Sequence, residues 1–175
     1  EPFDLVSTKV EYGPQSYFRS QLFRASIDWE WRGAVHEVMF PPKGFRPRGS
    51  QIGGFHTFVN ADGASWGDKS KETQKAKYLE HAEMLHEYIK TDKDPRWLFY
   101  LAQSYRDAFD YEKSEHWYKE RLKDPNGYWE ELYWSALMVG HMKMNQQKPI
   151  GECMDAYMMC SQFDPNRCEH FIPVI

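Results

Sequence analysis

The sequence predicts an α+β chain in two parts, residues 1–66 built of short strands and loops and residues 67–175 built of helical hairpins. Three observations predict it. Before about residue 65, short runs rich in aromatic and β-branched residues are broken by Gly and Pro, the pattern of strands. After Gly67 the apolar spacing changes to that of an amphipathic helix. The stop Asp-Pro-Asn occurs at 124–126 and again at 164–166, 40 residues apart and each time after a pair of helices, which marks an internal repeat.

The strand candidates are Leu5–Val10, Tyr17–Arg24, Gly33–Met39 and Gln51–Val59. From Phe40 to Gly54 three prolines and four glycines fall within fifteen residues, a composition for loop and against any long helix. The first helical stripe is Tyr78, Ala82, Leu85 and Ile89, in a helix that starts near Asp68 and ends before Asp94-Pro95. That Asp-Pro pair opens a second helix with Leu98, Leu101, Ala102 and Tyr105, since Asp caps and Pro suits the first turn. A third helix carries Tyr111, Ser114, Tyr118 and Leu122 and stops at Asp124-Pro125-Asn126-Gly127. Tyr133, Leu137, Gly140 and Met144 mark a fourth, and Ile150, Cys153, Met154, Tyr157 and Cys160 a fifth.

Charged residues make up 27% of the chain and the net charge is only -4, so no electrostatic field points to nucleic acid or a membrane surface. No stretch approaches the roughly 20 apolar residues that cross a bilayer, and no charged-then-apolar leader opens the chain. Cys153, Cys160 and Cys168 match neither a metal-site spacing nor a paired disulfide framework. A soluble, cytoplasmic protein in a reducing compartment is the expectation. Aromatic content of 17% fits both sugar stacking and packing of helical hairpins, so it decides nothing alone.

The most specific local pattern is Trp31-Arg32-Gly33-Ala34-Val35-His36-Glu37, preceded by Gln21-Leu22-Phe23-Arg24. It resembles the C-terminal portion of the catalytic domain of family 2 glycosyltransferases, of the Rossmann-like GT-A type. Ile52 with His56, then Lys77 and Tyr78, then Phe99 to Asp107, Tyr118 to Arg121 and Trp129 to Ser135 are similar to the continuation in members that carry tetratricopeptide repeats. Within Leu98 to Asn126 the small Ala102, the aromatic Tyr105 and Tyr118 and the closing Asp-Pro-Asn resemble such a repeat. Two residues depart from it: Phe109 where Gly makes the inter-helix turn, and Arg121 where a small residue is usual.

The resemblance implies transfer of a sugar from a nucleotide-sugar donor to a glycan or protein acceptor. That chemistry needs a departing diphosphate stabilised by Arg, Lys or a divalent cation and a carboxylate to take the acceptor proton. Glu37 is the implied catalytic carboxylate; Arg19, Arg24 and His36 are the implied diphosphate contacts; His36, and less so His56, are implied ligands of a Mn or Mg ion. On a regular strand His36 and Glu37 would face opposite sides, so both serve one pocket only if the chain turns there. Trp29 and Trp31 read as core, and Lys69, Lys71, Lys75 and Lys77 as a solvated helix face.

No Gly-rich phosphate loop and no βαβ alternation occurs in the 175 residues, and the Asp-x-Asp spacing at Asp92-Lys93-Asp94 falls between two helices rather than reading as a metal-binding pair. No cofactor site is therefore evident from this chain alone, and the donor-binding half is expected in a preceding segment or a partner protein. The alternative is a non-catalytic tetratricopeptide-type module that grips a peptide or protein. The two readings differ in whether His36, Glu37 and Arg24 converge, and in whether the helical groove is lined by aromatic side chains.

Overall fold

A computed structural model describes residues 2–60 and 70–174, and it is α+β. Asp68 and Lys69, named above as helix start and basic face, lie outside the described residues, as does the 66/67 boundary. The chain divides into two compact units, one of Glu1–Arg32 with Glu37–Lys69, the other of Gly33–His36 with Ser70–Ile175.

The first unit is a mixed three-stranded sheet and a small hairpin. Strands β1 (Leu5–Tyr12) and β2 (Gln15–Phe23) pair antiparallel, turned at Gly13, whose φ of 55° suits glycine. Strands β3 (Glu30–Arg32) and β4 (Val38–Phe40) form the hairpin, and β5 (Gly49–Phe58) returns parallel to β1, giving the order β2-β1-β5. The central strand carries what core there is, with Val10 and Thr8 buried, while Tyr17, Phe18 and Leu22 of β2 stand about half exposed. Asp4 fastens the open end: its carboxylate accepts from the Arg48 backbone N–H at 2.9 Å and pairs with Arg24 Nε at 3.0 Å. The Arg48 N–H and then the Arg48 and Arg24 charges hold the Asp4 pKa below the usual carboxylate value, against its burial.

Gly33–Met39, expected as one strand, is instead a turn followed by β4. Gly33 has φ 122° and His36 φ 55°, and two left-handed residues end a strand. Trp31, expected in the core, is 59% exposed, and Trp29 is half-buried.

The second unit is five helices: α1 (Lys71–Thr91), α2 (Arg96–Asp107), α3 (Tyr111–Leu122), α4 (Trp129–Asn145) and α5 (Ile150–Met158), with 3-10 turns at Met159–Gln162 and Glu169–Val174. Each helix packs on the next in sequence, and α2 also meets α4. Ser70 caps α1 by accepting from Thr73 N–H, and Asp110 caps α3 by accepting from Lys113 N–H. Asp94 accepts from Arg96 N–H at 3.0 Å and so tightens the entry to α2.

Ala102 is fully buried where α2 and α3 cross, and Ser114 Oγ donates to its carbonyl at 2.9 Å. Helix α4 is buried around most of its circumference, from Leu132 and Tyr133 to Val139 and Met142, as a helix covered on several sides requires. Its Gly140 is pressed on the Tyr157 ring of α5, where a Cβ would overlap the ring. Trp97, absent from the predicted stripe, is the largest fully buried side chain.

Both departures from the repeat pattern have a physical account. Phe109 takes the turn between α2 and α3 in the left-handed conformation that Gly adopts freely, with φ 61°. Arg121 is fully buried and its guanidinium donates to the carbonyls of Asp124 at 2.6 Å, Asn126 at 3.0 Å and Tyr128 at 3.4 Å. A long side chain thus ties the whole Asp-Pro-Asn-Gly turn from inside. Gly127, at φ 86°, lets that guanidinium approach: a Cβ there would stand 3.3 Å from Arg121 Nη2.

Candidate functional site

The Trp31 to Glu37 segment is built around the turn. Gly33 N–H donates to Tyr88 Oη at 3.0 Å, and a Cβ on Gly33 would meet the Trp97 ring at 3.1 Å, so this glycine permits the close approach. Three residues on, the His36 ring stacks on Tyr100 with centroids 4.7 Å apart and planes 24° from parallel. Gly33–His36 therefore belongs to the helical unit, whereas Glu37, exposed, belongs with the strands.

Burial lowers the His36 pKa first, and the nearby His81 and Lys77 lower it further against the opposing charge of Asp107. The imidazole is accordingly neutral near pH 7, the form that offers a lone pair to a cation or accepts a hydrogen bond. His36 makes no hydrogen bond to another described residue.

The remaining predicted residues lie on the sheet. Arg19 sits on β2 opposite Thr8, exposed, with no ion pair among the described residues. Arg24 is engaged: besides Asp4, its Nη2 donates to the Phe3 carbonyl at 2.6 Å, which makes it a clasp on the sheet end. His56 lies beside Lys9 on β5 with Nδ1 3.1 Å from Glu11 Oε1, a carboxylate that Lys9 Nζ also reaches at 2.8 Å. Lys9 first and then His56 hold the Glu11 pKa low. Among the described residues no group of three His, Cys, Asp or Glu side chains gathers as a metal cage.

Two concave surfaces stand out, the first of the kind that the interaction-module alternative expects and the second not foreseen. One is a groove of about 410 Å³ between α2 and α4, lined by Arg96, Phe99, Tyr100, Gln103, Tyr128 and Trp134. Tyr100 therefore belongs to this groove and to the His36 stack at once. Below it, Arg96 Nε lies 3.6 Å from Glu131, whose pKa is raised by burial against the pull of Arg96 and Arg121. The signal in the sequence was present: Arg96, Phe99, Tyr100 and Gln103 recur at i, i+3, i+4 and i+7, one face of a helix.

The other is a hollow of about 800 Å³ in the first unit, beside β3 and the loop after β4. Glu30 and Arg32, two apart on β3, share the face that borders it. Asp28, Trp29, Phe40 and Lys43 complete the wall.

No helix among the described residues is long and apolar enough to cross a membrane. No protein-family model matches the chain, and no curated protein matches it.

Proposed function

We propose that this chain is the C-terminal part of a nucleotide-sugar-dependent glycosyltransferase of the family 2, GT-A type, its strand unit the tail of a Rossmann-like catalytic domain and its helices tetratricopeptide-like hairpins. The observation that supports the reading is the packing of Gly33–His36 within the helical unit. The histidine of the transferase-like segment rests on Tyr100 and its glycine on Trp97 and Tyr88, so part of that segment and the repeat-like helices share one packed unit. The half-exposed apolar residues of β2 also support it, since such a strand suits cover by a further layer.

In this reading the acceptor hydroxyl oxygen attacks the donor's anomeric carbon, the bond from that carbon to the diphosphate oxygen breaks, and Glu37 takes the hydroxyl proton. Arg19 neutralises charge on the departing diphosphate, and Arg24, held by Asp4, fixes the end of β2 that presents it. A divalent cation, Mn or Mg, would supply further neutralisation of the diphosphate. His36, neutral and exposed, fits as one nitrogen ligand or as a diphosphate contact; His56, shared with Glu11, fits less well. The other ligands would come from the donor-binding half.

The test is isothermal titration of the full-length gene product with a nucleoside diphosphate and manganese. Binding is expected, weakened by His36→Ala; no heat at any concentration would remove the transferase reading. One observation favours a second reading, a non-catalytic interaction module: the groove between α2 and α4 is lined by four aromatic side chains, as a peptide-gripping surface would be. Peptide capture by that groove, abolished by Trp134→Ala, together with silence toward nucleotide, would select it.

A further inference from the structure

We infer that the hollow beside β3 is a binding site for a neutral hexopyranose unit, the acceptor end of a glycan; the acceptor role rests on the transferase reading, while sugar binding stands without it. The argument begins with charge. Asp28 and Glu30 place two carboxylates on the wall, Arg32 and Lys43 two cations, so the described lining carries charges of both signs in equal number. A diphosphate entering it would meet the carboxylates, and an organic cation would meet the arginine and lysine. A neutral polyol satisfies both, its hydroxyls donating to the carboxylates and accepting from guanidinium and ammonium.

The carboxylates are available for that purpose. Neither the Asp28 nor the Glu30 carboxylate has an ion pair or hydrogen bond with another described residue, and both residues are exposed. The rings beside them are already positioned. Trp29 Nε1 donates to the Arg24 carbonyl at 3.0 Å, and Phe23 meets its ring edge-on at 5.1 Å and 70°. Arg32 lies over the Phe40 ring at 4.5 Å from its centroid, which fixes both that ring and the guanidinium. The far wall is a closed turn, with Phe45 N–H donating to the Pro42 carbonyl at 2.9 Å and Gly44 at φ 83°.

A pyranose has an apolar C–H face and a rim of hydroxyls. Trp29 and Phe40 suit the face; Asp28, Glu30, Arg32 and Lys43 suit the rim. The rings and the far turn are held before any ligand arrives, so the ordering left to oppose binding is that of the exposed Asp28, Glu30 and Lys43 side chains.

The test uses the full chain with methyl α-glucopyranoside, methyl β-galactopyranoside and methyl N-acetyl-β-glucosaminide, read by saturation-transfer NMR and titration calorimetry. At least one glycoside is expected to bind with a millimolar dissociation constant. Asp28→Asn with Glu30→Gln, isosteric changes at exposed sites checked by near-UV circular dichroism, should weaken it about tenfold or more, and Trp29→Phe several-fold. Asp155→Asn on α5 should leave it unchanged. No binding of any glycoside overturns the proposal, as does binding that survives the double variant. Diphosphate binding that the double variant abolishes overturns it too, by assigning the hollow to the donor. Glycoside binding by a full-length product that ignores nucleotide would keep the sugar site and remove the transferase.

Discussion

The guanidinium of Arg121 lies 3.4 Å from the carboxylate of Glu131, and both side chains are almost wholly buried, at 0% and 6% exposure. Arg121→Met would leave Glu131 with only Arg96 at 3.6 Å and would strip three turn carbonyls of their donor. A loss of about 3–5 kcal/mol in urea unfolding is expected. Adding Glu131→Leu should restore part of it, because the unpaired carboxylate is gone while the carbonyls remain unserved. The folded pKa of Glu131 is already raised, so its protonated form is favoured in the fold, and the variant's deficit should grow as pH rises through that pKa.

Phe109→Gly should stabilise the helical unit. The left-handed φ of 61° costs a non-glycine residue about 1–2 kcal/mol, and glycine returns part of that through its freer unfolded chain. A net gain of about 0.5–1 kcal/mol, or a melting point higher by about 1–4 °C, is expected. Phe109→Ala keeps the strained backbone and should stay near the parent.

Gly140→Ala sets two effects against each other. Helix propensity favours alanine by about 1 kcal/mol, but the added methyl would overlap the Tyr157 ring. That ring is fully buried, its hydroxyl 3.0 Å from His141 Nδ1, so it yields poorly. Net destabilisation of about 1–2 kcal/mol is expected. Combining it with Tyr157→Leu should cost less than the sum of the two single changes.

Acid should loosen the second unit through its histidines. Burial is the first cause that lowers the pKa of the half-buried His81, His86 and His141. With folded values below the unfolded one, their contribution is fully present above about pH 6.5 and is lost as pH falls through the folded values. Thermal melts should be flat near neutrality and fall below about pH 6.5. His141→Gln should flatten part of that slope.

The helices were legible because their burial is periodic: Tyr78, Ala82, Leu85 and Ile89 are all buried or half-buried on α1. Asp110 and the Asp-Pro-Asn stops act locally, so they too could be read directly. The turn at 33–37 was hidden because Ala34 and Val35 look like strand, while the positive φ of Gly33 and of His36 breaks it. Ile150 and Met154, read into the α5 stripe, are exposed at 65% and 41%, and the buried face of α5 is Cys153, Ala156 and Tyr157. The site residues were partly legible: chemistry singled out Arg24 and His36, but the Asp4 clasp and the Tyr100 stack depend on partners 20 and 64 positions away. Asp28 and Glu30 drew no notice because isolated acids near a turn are ordinary; their neighbours across the hollow come from residues 40–45.

The four residues Gly33–His36 make the helical unit discontinuous in sequence. Trimming the protein to Ser70 onward would keep every helix yet uncover the indole of Trp97 and the ring of Tyr100, bequeathing a sticky patch to the fragment. Anyone dissecting this polypeptide by a single cut would thus obtain a piece that self-associates, and would credit to the helices a behaviour that belongs to the missing tetrapeptide.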